Sequence, residues 1–193
     1  MTEKRQVILV TDGDKVARRT VEVAAKNINA RCISASAGNP TPRNGKEIVE
    51  LVKKAPHDPV VVMFDDRGWQ GKGEGEQALE YVAHHPDIQV LGVVAVASNT
   101  PYVEGIEVNQ SVAYTGELVD GPVDKDGVCE EQGHHILEGD TVDVLSALEV
   151  PIIGIGDIGK MEGADSFQKG APLTTKALQE ILIRSGFVNG NGA

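Results

Sequence analysis

Val7-Ile8-Leu9-Val10-Thr11-Asp12-Gly13-Asp14 decides the fold: four consecutive apolar residues, one polar step, then two carboxylates flanking a glycine. Apolar residues without alternation are what a strand buried on both faces needs. Beyond them Val16, Thr20, Val21, Val23 and Ala24 recur at helical spacing over residues 14–27, leaving Arg18, Arg19, Glu22 and Lys26 for the wet face. The same alternation repeats outward along the chain. A second strand reads at 31–34, turn formers fill 36–45, and Ile48, Val49, Leu51 and Val52 mark a helix that ends before Pro56. Pro59 opens a third strand over 60–64. Glycine-rich residues 68–75 lead into a helix over 76–84 stopped by Pro86, and residues 88–97 form a long fourth strand. Pro151-Ile152-Ile153-Gly154-Ile155 is the fifth, and Thr174 to Ser185 a closing helix with Gly186 at its end.

Apolar strands separated by helices predict a three-layer α/β fold with a mainly parallel central sheet, of the flavodoxin-like, receiver-like or Toprim-like kind. Right-handed crossovers and the common order 2-1-3-4-5 place the Val7 and Val60 strands side by side at the sheet centre, where their carboxyl ends define a crevice. From residue 100 to about 138 the pattern changes to short alternating runs, Ile106-Glu107-Val108 and Ser111-Val112-Ala113-Tyr114, with turn signals at Thr115-Gly116 and Asp126-Gly127. This reads as a β-hairpin insertion. Helical spacing returns over 140–148, where Asp140 or Thr141 can cap. The expectation is one α/β domain over 1–187 carrying the insertion, with a disordered tail at 188–193.

Composition narrows the function classes. The 193 residues are 40% apolar and carry a net charge of -11, and no apolar run approaches the length of a membrane helix. No signal peptide is legible at the N-terminus, where only Val7 to Val10 are consecutively apolar. Cys32 and Cys129 read as reduced thiols rather than a bridge. Residues 1–63 hold 11 basic and 7 acidic side chains, 64–150 hold 3 and 18, and 151–193 hold 4 of each. A middle segment this acidic disfavours nucleic acid or an anionic membrane as a direct partner and favours cations or a basic protein surface. Solubilising surface is the plainer reading of the same residues.

Asp12 and Asp14 follow the first strand and Asp65 and Asp66 the third, so the expected topology gathers four carboxylates at one edge. Two readings follow. A hard divalent cation, Mg²⁺ or Ca²⁺, neutralises such a cluster, with Glu74 and Glu76 near enough in sequence to contribute. Alternatively Asp12 or Asp14 caps the next helix while Asp65 and Asp66 shape a loop. The order also resembles response-regulator receivers, with Asp12, Asp65 or Asp66, Ser98 and Lys160 in roughly the places of the acids, the phosphoacceptor, the hydroxyl and the lysine. Two departures stand out: Lys160 lies well beyond its strand, and some fifty residues intervene before that strand. Asp12-Gly13-Asp14 before a helix is similar to the D-x-D of Toprim domains, without the strand-end Glu that completes their site.

Weaker features complete the inventory. Gly68-Trp69-Gln70-Gly71-Lys72-Gly73-Glu74-Gly75 lacks the P-loop order, leaving Trp69 and Lys72 as candidate ligand or partner contacts on a Gly-rich connection. His84-His85 and His134-His135 have no zinc spacing and read as structural. Asp124-Lys125-Asp126-Gly127 begins like a calcium loop but lacks its third acid and reads as a hairpin turn. No Ser-His-Asp or Cys-His set is supported, so no catalytic residue is assigned and the chain reads as a non-enzyme.

Taken in order, the motifs resemble the soluble stage V sporulation protein AE family encoded among the spoVA genes of endospore-forming bacteria. The resemblance runs through Lys4 to Asp14, Arg31-Cys32-Ile33-Ser34, Ser36 to Thr41, Pro59 to Asp66, His85 to Ile88, Val90-Leu91-Gly92, Val96-Ala97-Ser98 and Gly154 to Met161, covering residues 5 to 187 almost throughout. It implies a soluble, non-catalytic subunit that helps move calcium dipicolinate into the developing spore and out again at germination. It also implies membrane and thiolase-like SpoVA subunits as partners and a peripheral place at the spore inner membrane, held by protein contacts. Dipicolinate is a dianion, so an acidic protein would meet it through a bridging calcium ion.

Overall fold

The computed structural model describes residues 3–66, 73–97, 105–108, 110–129, 136–138, 144–145 and 147–187. The strands are β1 (Arg5–Val10), β2 (Arg31–Cys32), β3 (Val60–Met63), β4 (Ile88–Val96), β5 (Gly105–Glu107), β6 (Gln110–Val112), β7 (Leu118–Asp120), β8 (Ile136–Glu138) and β9 (Ile152–Ile155). The helices used below are α1 (Lys15–Asn27), α2 (Gly45–Lys53), α3 (Glu74–Ala83) and α4 (Pro172–Ser185). Seven strands form one sheet in the order β2-β3-β1-β4-β9-β6-β7, parallel except for the β6–β7 hairpin, while β5 and β8 pair antiparallel as a separate ribbon.

Alternate side chains of each buried strand feed opposite layers. Val7, Leu9, Val60, Val62 and Phe64 meet α2, α3 and the helical residues Val144 and Leu145, whereas Ile8, Val10, Val61 and Met63 meet α1 and α4. Handedness explains that division. The β1-to-β2 crossover runs one way along the sheet and the later crossovers to β3, β4 and β9 run the other way, so right-handed connections put α1 on the opposite face from α2 and α3. The α4 helix joins α1, approaching β4 at Gly92, where a Cβ would lie 2.7 Å from the Ile181 Cγ2. Only glycine leaves room there.

The three-layer α/β architecture is as read from the sequence, but the strand order 2-1-3-4-5 is not: β2 pairs with β3, and β1 sits between β3 and β4. Val7-Ile8-Leu9-Val10 and Val60-Val61-Val62-Met63 are both continuously apolar, so neither pattern names its neighbour. Ladder length does. β1 matches six residues of β4, which the four-residue β3 cannot. The adjacency of the Val7 and Val60 strands survives, with Val7 opposite Val60, and so does the crevice at their carboxyl ends.

Local departures have local causes. The second strand ends at Cys32 because the Ser36 hydroxyl accepts the Met63 N–H at 2.9 Å and donates to the Ile33 carbonyl at 2.7 Å, replacing ladder bonds with a 3₁₀ turn. The insertion is more than a hairpin: β6 adds in parallel to β9 and extends the main sheet, with β7 folded back on β6. Asp124 to Gly127 is the turn expected of it, closed by Gly127 N–H donating to the Asp124 carbonyl at 2.9 Å. Gly186 ends α4 at φ 68, the left-handed cap its position suggests.

Candidate functional site

The carboxyl edge is built from the loops after β1, β3 and β9. Thr11 ties the first loop to β4, its N–H reaching the Val94 carbonyl at 3.1 Å and its hydroxyl accepting the Val96 N–H at 2.9 Å. Asp14 then caps α1, one carboxylate oxygen accepting the N–H groups of Val16 (2.7 Å) and Ala17 (2.8 Å). Its other oxygen receives the Lys160 ammonium at 3.0 Å, and the same ammonium reaches Asp157 at 3.0 Å. Lys160 therefore spans from the loop after β9 to the N-terminus of α1, despite its distance from the strand. Gly159 makes this crossing possible: at φ +79 it lies so close to α1 that a Cβ would be 2.8 Å from the Val16 Cγ1 and would overlap Thr20.

Asp65 is held by its backbone. Its N–H donates to the Thr41 hydroxyl and its carbonyl accepts the Thr41 N–H, both at 2.8 Å. A Cβ built on Gly13 would lie 3.2 Å from that of Asp65, which puts the β1 and β3 loops in contact. Asp66 turns the other way. It is buried beneath α3 and accepts the N–H groups of Gly75 (2.6 Å) and Glu76 (2.8 Å), one on each oxygen.

Electrostatics separates these acids further. Asp12 is 9% exposed and accepts the Asp14 N–H at 3.2 Å. Burial is the main cause that pushes its carboxyl up to about 7; the charge of Asp14 adds to it, the Asp14 N–H opposes it, and the charges of Asp65 and Asp157 add again. For Asp14, burial acts against the charge but is outweighed by the Ala17 N–H, Lys160 and the Val16 N–H, so its carboxyl is held below the ordinary carboxylate range. Lys160 resists its own partial burial through Asp157 and Asp14, which hold its ammonium above the ordinary lysine value.

The structure thus joins Asp12, Asp14, Asp65 and Lys160 in one place, sends Asp66 to the start of α3, and adds Asp157, which the sequence reading passed over. The signal for Asp157 was available, since it directly follows the fifth strand in Gly156-Asp157-Ile158-Gly159-Lys160. Trp69, Lys72, Ser98 and the His134-His135 pair lie outside the described residues. Asp165 gave no signal at all. Fully buried, it accepts the N–H groups of Leu173 and Thr174 at 2.9 Å, the Thr174 hydroxyl at 2.6 Å and the Gly159 N–H at 3.0 Å, capping α4 from outside the helix.

Among the described residues no three His, Cys, Asp or Glu side chains are placed to hold a metal ion. The helix amides on Asp66 and the ammonium and helix amides on Asp14 occupy the oxygens a cation would use. A divalent ion that used the second Asp14 oxygen would displace Lys160 from it. A groove lined by Gln77, Glu80, Tyr81, His84, His85 and Pro86 lies at the other end of α3, where His85 leads into β4, away from these acids. Among the described residues no helix is long and apolar enough to cross a membrane.

In comparison with known proteins, the family model for stage V sporulation protein AE1 aligns with residues 6–185. No curated protein and no solved structure matches the chain. The family match spans β1 through α4 and includes every residue of the acidic edge, so the chain belongs to the stage V sporulation protein AE1 family, a family of SpoVA sporulation proteins.

Proposed function

We propose that this chain is a non-catalytic subunit of the SpoVA assembly that moves calcium dipicolinate during sporulation and germination, seated at the spore inner membrane by contacts with membrane and thiolase-like subunits. Family membership carries the reading. Two observations support it: Lys160 and helix N–H groups engage much of the acidic edge from within the chain, and the middle of the sequence carries the charge of a surface that repels anionic lipid. Co-fractionation tests it. The protein should sediment with inner-membrane SpoVA subunits, leave them on a high-salt or alkaline wash without detergent, and become soluble in cells lacking those subunits. Soluble behaviour in the presence of all of them would overturn the proposal.

A second reading is favoured by the convergence of Asp12, Asp14, Asp65 and Asp157, two of which, Asp14 and Asp157, hold Lys160. Here the edge is a Mg²⁺- or Ca²⁺-dependent regulatory site, with Lys160 released from Asp14 as the cation enters and Asp65 as the acceptor of a phosphoryl group. A small phosphodonor with Mg²⁺ should then add one phosphoryl mass at Asp65, lost in Asp65→Asn. Calorimetry with Ca²⁺, with and without dipicolinate, tests the ion-sensing form of the same reading. An unphosphorylated Asp65 and flat heats with both ions would eliminate it.

A further inference from the structure

The described part of the insertion displays apolar side chains that its own fold does not cover. Tyr114 is 51% and Val128 47% exposed, and these are two of the four large apolar residues left exposed among those described. They are carried on adjoining backbone, since Tyr114 N–H donates to the Gly127 carbonyl at 2.9 Å. The platform is well ordered by hydrogen bonds. Asp124 N–H donates to the Val128 carbonyl, and the Asp124 carboxylate accepts the N–H groups of Asp126 and Val128, each at 2.9 Å. Gly127, at φ +77, packs so tightly that a Cβ would lie 2.8 Å from the Tyr114 nitrogen and 2.9 Å from the Met161 sulfur.

An aromatic with an apolar neighbour on a hydrogen-bonded loop has the form of a binding anchor, because little loop entropy is lost when it is covered. Its surroundings choose the partner. Glu117 precedes β7 directly opposite Ala113, whose N–H donates to the Glu117 carbonyl, and Asp124 and Asp126 flank the sole described lysine of the insertion, Lys125. The same loop is tied to the acidic edge, where Asp157 N–H donates to the Lys125 carbonyl at 2.7 Å. Among the described residues Glu117, Asp124 and Asp126 outnumber Lys125 here, so this face repels nucleic acid and anionic lipid and attracts lysine and arginine, whose cationic heads also stack on a tyrosine ring.

We infer that the Tyr114–Val128 face docks a lysine- and arginine-rich loop of a membrane-protein partner. Loops on the cytoplasmic side of membrane proteins carry an excess of these residues, which is the charge this face complements. The inference rests on the proposed SpoVA role for the identity of the partner, though not for the chemistry of the surface.

The test uses the full chain and two probes: synthetic peptides of the basic cytoplasmic loops of the SpoVA membrane subunits, and a generic Lys/Leu peptide with a Glu/Leu control. The basic probes should bind, shift the amide resonances of Tyr114, Gly127 and Val128, and weaken with added salt. Affinity should fall at least tenfold in Tyr114→Ala and in Asp126→Lys, both checked for an unchanged unfolding midpoint. Equal binding of the Glu/Leu control, or unchanged affinity in both variants, would overturn the inference. So would a second copy of the chain or anionic vesicles covering the face instead, detected by sedimentation and lost in the same variants. If the generic basic peptide binds here while co-fractionation with SpoVA subunits fails, the surface stands and the assignment of its partner falls.

Discussion

Replacing Asp165 by alanine is the most informative single perturbation of the fold. The carboxylate is fully buried and accepts four hydrogen bonds, two from the first turn of α4, one from the Thr174 hydroxyl and one from Gly159. Truncation removes a helix cap and leaves three N–H groups and a hydroxyl without their acceptor. A lost cap costs about 1 kcal/mol, and each buried donor left unsatisfied about 1–3 kcal/mol before water or relaxation recovers part of the loss. A net destabilisation of about 3–4 kcal/mol follows, or a Tm lower by roughly 6–16 °C for a chain of this size. Asp165→Asn should lose about half as much, because one side-chain oxygen can still serve the α4 amides while its NH₂ faces another donor. Urea unfolding followed by circular dichroism gives the energies, and hydrogen exchange locates them, with protection lost first at Gly159, Leu173 and Thr174. A change below 1 kcal/mol for the alanine variant, with an unchanged urea slope, would refute the reasoning.

Other consequences can be measured on the same protein. Because the Asp12 carboxyl is raised to about 7, the folded state keeps a proton that the unfolded chain has lost, so this group's contribution to stability falls as pH rises from 4 to 7. The full effect is bounded at about 4 kcal/mol, and Asp12→Asn should flatten urea-midpoint curves over that window. Lys160→Met should cost about 1 kcal/mol, since the bridge is partly exposed, with the deficit shrinking at high salt as the remaining carboxylates are screened. Gly159→Ala meets both an unfavourable φ and the side chains of Val16 and Thr20, and should cost at least about 2 kcal/mol by chemical denaturation. Burial pushes the Cys32 thiol up to about 12 while Cys129 is exposed, so a thiol reagent followed by mass spectrometry should modify Cys129 first.

The layered fold was legible because buried strands and amphipathic helices leave different periods in the sequence. Strand order was not, because β1 and β3 are equally apolar and the length of the ladder on β4 decides between them. At the site, the rule that strand-end acids gather at a switch point located Asp12, Asp14 and Asp65 correctly and, extended to β9, would have found Asp157. It misplaced Asp66, since nothing in Phe64-Asp65-Asp66 says which of two adjacent carboxylates turns beneath α3. Lys160 looked too far from its strand, but the left-handed turn at Gly159 brings it back over α1. Asp165 was illegible because its partners lie eight and nine residues downstream and depend on α4 docking first.

The most direct test of the proposed role is the dipicolinate content of spores from cells lacking this chain, with its release followed during germination. The account predicts reduced accumulation or slowed release, restored by the wild-type chain and restored less well by one carrying Tyr114→Ala with Asp126→Lys. Accumulation and release that both match wild type, in cells verified to lack the protein, would contradict it.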